Sequence, residues 1–138
     1  MINLCSICRH NLTQQSGEQP EKSKIIYANQ AFKDVTDSTE KQILNQPHNI
    51  FRHLQMPAAI FQLLSSKIKS RQDFVGYLYN KTFTGNAYWA LTTISISISP
   101  ETNQQCFFSV QRKPVSRSVE AVKSIYADML DIEKKSSS

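Results

Sequence analysis

The sequence predicts an α+β domain: one antiparallel sheet with helices gathered on one face. Three observations carry this. Short alternating or β-branched runs open the chain and a run of strand patterns nearly closes it, with a helical middle between them. Ala58–Lys69 places Ile60, Phe61, Leu64 and Ile68 at spacings of one, three and four, the stripe of an amphipathic helix. Phe74–Arg112 then holds three strand-like runs separated by the turn-forming Thr82–Asn86 and Pro100–Gln104, which reads as a meander.

In chain order, Ile2, Leu4, Ser6 and Cys8 alternate with Asn3, Cys5 and Ile7, a first strand. Arg9–Ser23 is polar and contains Gly17 and Pro20, as a mobile loop does. Lys24–Ala28 is β-branched and aromatic, a second strand. Asn29 leads into a short helix over Gln30–Val35, and Asp37, Ser38 and Thr39 offer caps for another over Glu40–Leu44. Pro57 suits the first turn of the helix Ala58–Lys69, and Lys67, Lys69 and Arg71 complement the dipole at its C-terminal end.

Phe74–Lys81 has Phe74, Gly76 and Leu78 on one face and Val75, Tyr77 and Tyr79 on the other, so both faces are covered. In Tyr88–Ser99 the isoleucines Ile94, Ile96 and Ile98 face one way and the serines the other. Trp89 and Leu91 lie on the serine parity. The strand therefore either bulges near Thr92, or one face lines a cavity at one end and meets water at the other. Gln105–Arg112 is the last strand, with Cys106, Phe108 and Val110 on one face. After Pro114, Val119, Val122, Tyr126 and Met129 repeat at helical spacing, widened by Ile125 and Ile132. This helix either folds back on the sheet or pairs with a second copy. The chain thus divides into 1–23, a core over 24–114 and a terminal helix and tail over 115–138.

Composition narrows the function. A chain of 138 residues, 40% hydrophobic and 20% charged, supports one core. Much of the excess behind its net charge of +5 lies in Arg52–Lys81, where Arg52, Lys67, Lys69, Arg71 and Lys81 stand against Asp73 alone. Such a patch suits an anionic ligand such as a dinucleotide phosphate and is too sparse for nucleic acid. The longest apolar candidate, Ala90–Ile98, is broken by serine and threonine, well short of the ~18 residues of a membrane span. With no secretion signal at the start, cytoplasm is expected. Cys5-x-x-Cys8 near His10, with only Cys106 elsewhere, falls short of the usual four zinc ligands, so no metal is expected and the thiols are expected reduced. No Ser-His-Asp set, carboxylate pair or phosphate-cradling glycine motif stands out among three glycines, so catalysis is not expected.

The densest polar run is Asn45–Pro57, NQPHNIFRHLQMP, with His48, Arg52 and His53 between two prolines and Ile50, Phe51, Leu54 and Met56 interleaved. It predicts a short, irregular helical connector, packed on one side and polar on the other. This run resembles the GQPHNxVRHPDMP segment of the PAS domain in bacterial aerotaxis receptors. IIYANQAFKDVT resembles the second strand and first helix of PAS domains. GYLYNKTFTGNAYWAL resembles the GxxKNRRKNGDHYWV stretch, and SVQRKPVSRSVEAVKSIY the last strand with its basic exit and outgoing helix.

The resemblance spans Ile25 to about Ile132 and implies a PAS-like five-stranded antiparallel sheet. It further implies non-covalent FAD, read for its redox state, in a pocket taking in Asn29, Asn49, Arg52, His53, Asn80 and Trp89. Phe74 and Trp89 would supply ring faces, asparagine and histidine the polar edge, and Arg52 a phosphate contact. The chain departs from the pattern at Leu54, Gln55 and Phe74 and in the turn Lys81–Asn86. Nothing resembles the NCRFLQ motif of blue-light domains, so a covalent flavin adduct is not expected. Haem is not expected either, since a lone histidine in such a connector is more often a hydrogen-bonding residue. The implied role is a sensory module, expected to be a homodimer, that passes a redox signal to a partner protein or domain. The alternative is a ligand-free PAS interaction module.

Overall fold

A computed structural model describes residues 4–10, 24–98 and 105–136. Most of the expected loop after the first strand, and the hairpin loop before the last, lie outside these. The elements are β1 (Leu4–His10), β2 (Lys24–Ala28), α1 (Gln30–Val35), α2 (Glu40–Ile43), a 3-10 turn (His48–Phe51), α3 (Ala58–Lys69), β3 (Phe74–Lys81), β4 (Ala87–Ile98), β5 (Gln105–Arg112) and α4 (Ser116–Ser136). The five strands form one sheet in the order β2-β1-β5-β4-β3, every neighbouring pair antiparallel. β1 sits inside the sheet between β2 and β5, pairing Ser6 with Ala28 and Cys8 with Phe107. The expected division at residue 24 therefore cuts through the sheet, and residues 4–10 belong with the core.

The registers Phe74↔Ile94, Leu78↔Ala90 and Ile96↔Phe107 set these residues on one face, because directly opposed side chains in an antiparallel pair share a side. Here Phe74, Leu78, Ile94, Ile96 and Phe107 meet Phe32 of α1, Ile43 of α2, Phe51 of the turn, and Leu64 and Ile68 of α3 in one cluster. The Phe32 and Phe51 rings meet edge to face at 5.2 Å. Each fully buried side chain of this kind contributes about 1.5–3 kcal/mol, so this inner face holds the helices to the sheet.

Local chemistry explains the helix starts. The Asn29 side chain accepts the Phe32 amide at 2.9 Å and caps α1. The Gln42 side chain accepts the Thr39 amide at 2.9 Å at the start of α2. Pro57 precedes α3 and has no capping side chain of its own.

β4 carries no bulge. Its pairing with β3 runs unbroken from Ala87 to Ile94, and with β5 from Leu91 to Ile98. The parity change seen in the sequence reflects coverage instead: Trp89 and Leu91 are half-buried on the face that α4 crosses, whereas Ser97, on the same parity, is exposed. α4 is held by its own sheet. The Tyr126 hydroxyl donates to the Tyr77 carbonyl at 2.6 Å, and the Glu133 carboxylate accepts the Ala58 and Ala59 amides at 3.1 and 3.2 Å. Ile125 and Ile132 remain exposed. Among the described residues no helix is long and apolar enough to cross a membrane.

Candidate functional site

The connector before α3 is laid along the free edge of β3. Pro47 sets up the 3-10 turn, whose last carbonyls turn the chain so that Arg52 bridges to Asn80. The His53 amide then donates to the Tyr79 carbonyl at 3.3 Å, and the Tyr79 amide donates to Met56 Sδ at 3.1 Å. Successive extended residues point to opposite sides of a sheet. Arg52 accordingly turns toward α3, its guanidinium 3.8 Å above the Phe61 ring. His53 turns the other way and its ring lies 4.4 Å from Tyr79.

On that outer face the rings continue. Tyr79 stacks on Trp89 at 4.8 Å, and Trp89 meets Tyr126 of α4 at 5.6 Å. Burial first, and the neighbouring Tyr77 second, push the Tyr126 pKa up to about 12. His53 Nδ1 accepts the Gln55 amide at 3.0 Å, so the neutral ring carries its proton on Nε2. The single pocket expected to combine His53 and Trp89 with Phe74 and Asn80 therefore does not form. Trp89 pairs with Tyr79, an odd-parity partner, and the sheet separates both from Phe74 and Asn80.

The inner face holds the polar groups that the core leaves without partners. Asn80 Nδ2, Thr92 Oγ1 and Ser109 Oγ are all buried and make no hydrogen bond. They come from three neighbouring strands, and the pairings Asn80↔Tyr88, Thr92↔Gln111 and Ile94↔Ser109 put them on one face. An unpaired buried polar atom costs about 1–3 kcal/mol, and three of them share this one face. Beside them the Tyr88 hydroxyl donates to Gln111 Oε1 at 3.1 Å. Burial holds the Tyr88 hydroxyl above the ordinary phenol range, and the Asn80 side chain pulls weakly the other way. That approach is too poor in geometry to satisfy Asn80 Nδ2.

Phe74, 3% exposed, supplies a ring face on the same side. Its ring lies over Gly76, where an added Cβ would come within 2.6 Å of the ring tip. Gly76 thus lets the ring lie down on the strand.

The remaining expected site residues divide by role. Asn29 is the α1 cap and Asn49 is exposed on the 3-10 turn. The side chain of His48, and the thiols of Cys5 and Cys8 with His10, lie outside the described residues. Among the described residues no cluster of His, Cys, Asp or Glu is arranged to hold a metal ion. Arg52 borders an open cleft of about 670 Å³ with Ser65, Ser66 and Lys69 on the far side of α3. Thr92, Ser109, Gln111 and Tyr88 were missed by sequence reasoning. Their signal was polar residues standing at the parity of buried Ile94 and Phe107, legible only once strand register is known.

No family model matches the chain. Over 105 residues, 76% of the chain, it is 27% identical to the aerotaxis receptor of Escherichia coli K12, covering 21% of that protein. Over 91 residues, 66% of the chain, it is 30% identical to the nitrogen fixation regulatory protein of Klebsiella oxytoca, covering 18% of it. The chain thus spans about a fifth of the length of these relatives. Among solved structures, a light-oxygen-voltage domain studied with a flavin analogue superposes with a TM-score of 0.72 at 16% identity, over 91% of this chain and 87% of that one. The dark structure of the Aureochrome1 light-oxygen-voltage domain gives 0.70 at 17% identity, over 94% and 86%.

Proposed function

Since the chain is a PAS domain of the aerotaxis-receptor type, we propose that it is a non-catalytic redox sensor that binds FAD without a covalent bond. The observation that supports this most is the row of buried, unpartnered polar atoms on the inner face: Asn80 Nδ2, Thr92 Oγ1 and Ser109 Oγ. A flat heteroaromatic ring with donors and acceptors along one edge satisfies such a row, and Phe74 covers its face. Asn80 donates to the edge, while the two hydroxyls donate or accept as needed. In this reading the anionic tail falls to Arg52, whose backbone bridges to Asn80, and to Lys69, which lines the same polar cleft.

A flavin supplies a redox-dependent change in charge and hydrogen bonding at its polar edge. The chain's part is to convert that change into motion. Asn80 sits on β3, whose next residue back is Tyr79; the Tyr79 backbone carries the His53 and Met56 contacts, and its ring joins the stack to Tyr126. A shift at Asn80 is therefore felt both by the connector and by α4. The bias on α4 equals the difference in contact free energy between the two redox states and no more. The receiving partner is a signalling protein or domain, and cytoplasm is the compartment this reading implies.

The test is the absorption spectrum of the gently purified full chain, with and without added FAD. A yellow chromophore, or saturable FAD uptake, agrees with the proposal. A colourless protein that takes up no FAD rejects it and leaves the ligand-free interaction module.

A further inference from the structure

A second cavity lies where the last strand hands over to α4. β4 is paired with β3 down to Ala87, but with β5 only to Leu91, opposite Arg112. The stretch 87–90 therefore runs past the end of β5 with one edge outside the sheet ladder. Lys113 and Pro114 lead the chain away, and the first turns of α4 roof the gap. The result is a hollow of about 470 Å³, within the range that holds small organic ligands. Its walls are apolar, from Val35 at the end of α1, Trp89 and Val119. Its rim is cationic: Arg112, Lys113 and Lys123 line it against a single carboxylate, Glu120, which pairs with Lys123 at 3.4 Å.

We propose that this hollow binds a small carboxylate with an apolar body, such as a medium-chain fatty acid. The apolar walls take the body out of water, and Arg112 and Lys113, the cations not matched by Glu120, receive the head group. The hollow opens at the end of β5, where Tyr88 and Ala90 of the inner face and Trp89 of the outer face all line it. It adjoins the inner-face row at Tyr88, but its cationic rim of Arg112 and Lys113 is its own, so the proposal does not depend on the flavin reading. Because the hollow lies between β4 and α4, an occupant acts on the helix at its root, away from its Tyr126 and Glu133 anchors.

Trp89 is the sole tryptophan, so its emission reports occupancy directly. The full chain is titrated with octanoate and with 1-octanol, neither of which absorbs near tryptophan. Octanoate should change Trp89 emission saturably and bind about tenfold tighter than octanol, the size of one charge-assisted contact. Arg112→Gln combined with Lys113→Gln should remove that preference and leave octanol binding unchanged. Val119→Phe, which fills the hollow with an apolar ring, should abolish both. Circular dichroism checks that each variant is folded, and Ser136→Ala, remote from the hollow, serves as the folded control. The proposal is overturned by no saturable response in the parent chain. It is equally overturned by equal affinity for the two probes, or by a folded Val119→Phe variant that binds octanoate as the parent does.

Discussion

Glu133, near the end of α4, accepts the amide of Ala58 at the start of α3, 3.1 Å away across 75 positions of sequence. Its other oxygen takes the Ala59 amide at 3.2 Å. α3 begins after a proline that offers no cap, so the carboxylate it lacks arrives from the terminal helix. The helix that would carry a signal outward is thereby tied to the helix that closes the inner face.

Replacing Glu133 with alanine should cost about 1 kcal/mol, the usual worth of a lost N-terminal cap. Amide exchange should rise at Ala58 and Ala59 and through the last turns of α4 together. A rise confined to α4 would show that the two helices are not coupled through this contact.

The Tyr126 phenol titrates at about 12 in the folded chain against an ordinary value of 10.0. The folded state thus keeps a proton that the unfolded chain loses, so the stabilisation is complete below pH 10 and disappears as pH rises through 12. Tyr126→Phe should lose the hydrogen bond to Tyr77, at a cost of about 1 kcal/mol near neutrality. It should also show a shallower loss of stability above pH 10 than the parent chain in denaturant titrations. Parallel curves would place the titration elsewhere.

Thr92 is fully buried and its hydroxyl has no partner, so Thr92→Val exchanges an unsatisfied group for a methyl of the same shape. The ligand-free protein should gain about 1 kcal/mol. Loss of stability instead would mean that the hydroxyl is satisfied in solution.

Gly76→Ala places a Cβ 2.6 Å from the Phe74 ring tip, and that ring is buried with little room to move. The expected cost is about 1–3 kcal/mol, the range for overpacking a core. It should be relieved by Phe74→Leu in the same chain. An unaltered melting temperature for Gly76→Ala would show that the ring has another place to go.

The elements were legible because periodicity writes them locally. The stripe Ile60, Phe61, Leu64, Ile68 is α3, and the alternations after Phe74 are the meander. The two sides of the sheet were not. β3 is apolar on both parities, with Phe74 and Leu78 against Tyr77 and Tyr79, so alternation alone cannot say which side receives the helices. Trp89 was accordingly expected beside Phe74, and pairing with Tyr79 puts it on the other side. His53 follows the same logic, since one residue along an extended chain reverses the side. The Glu133 cap was beyond reach for another reason: a contact across 75 positions leaves no mark on the spacing of its neighbours.

In the proposed sensor, ligand recognition belongs to the inner face and transmission to the His53-to-Tyr126 stack. The affinity of the chain for FAD, followed by quenching of flavin fluorescence, tests it when Asn80→Leu is set beside Trp89→Phe. A loss of about tenfold or more is expected for Asn80→Leu, one buried hydrogen bond's worth, with Trp89→Phe close to the parent. Unchanged affinity in Asn80→Leu, with the loss falling on Trp89→Phe, would contradict it.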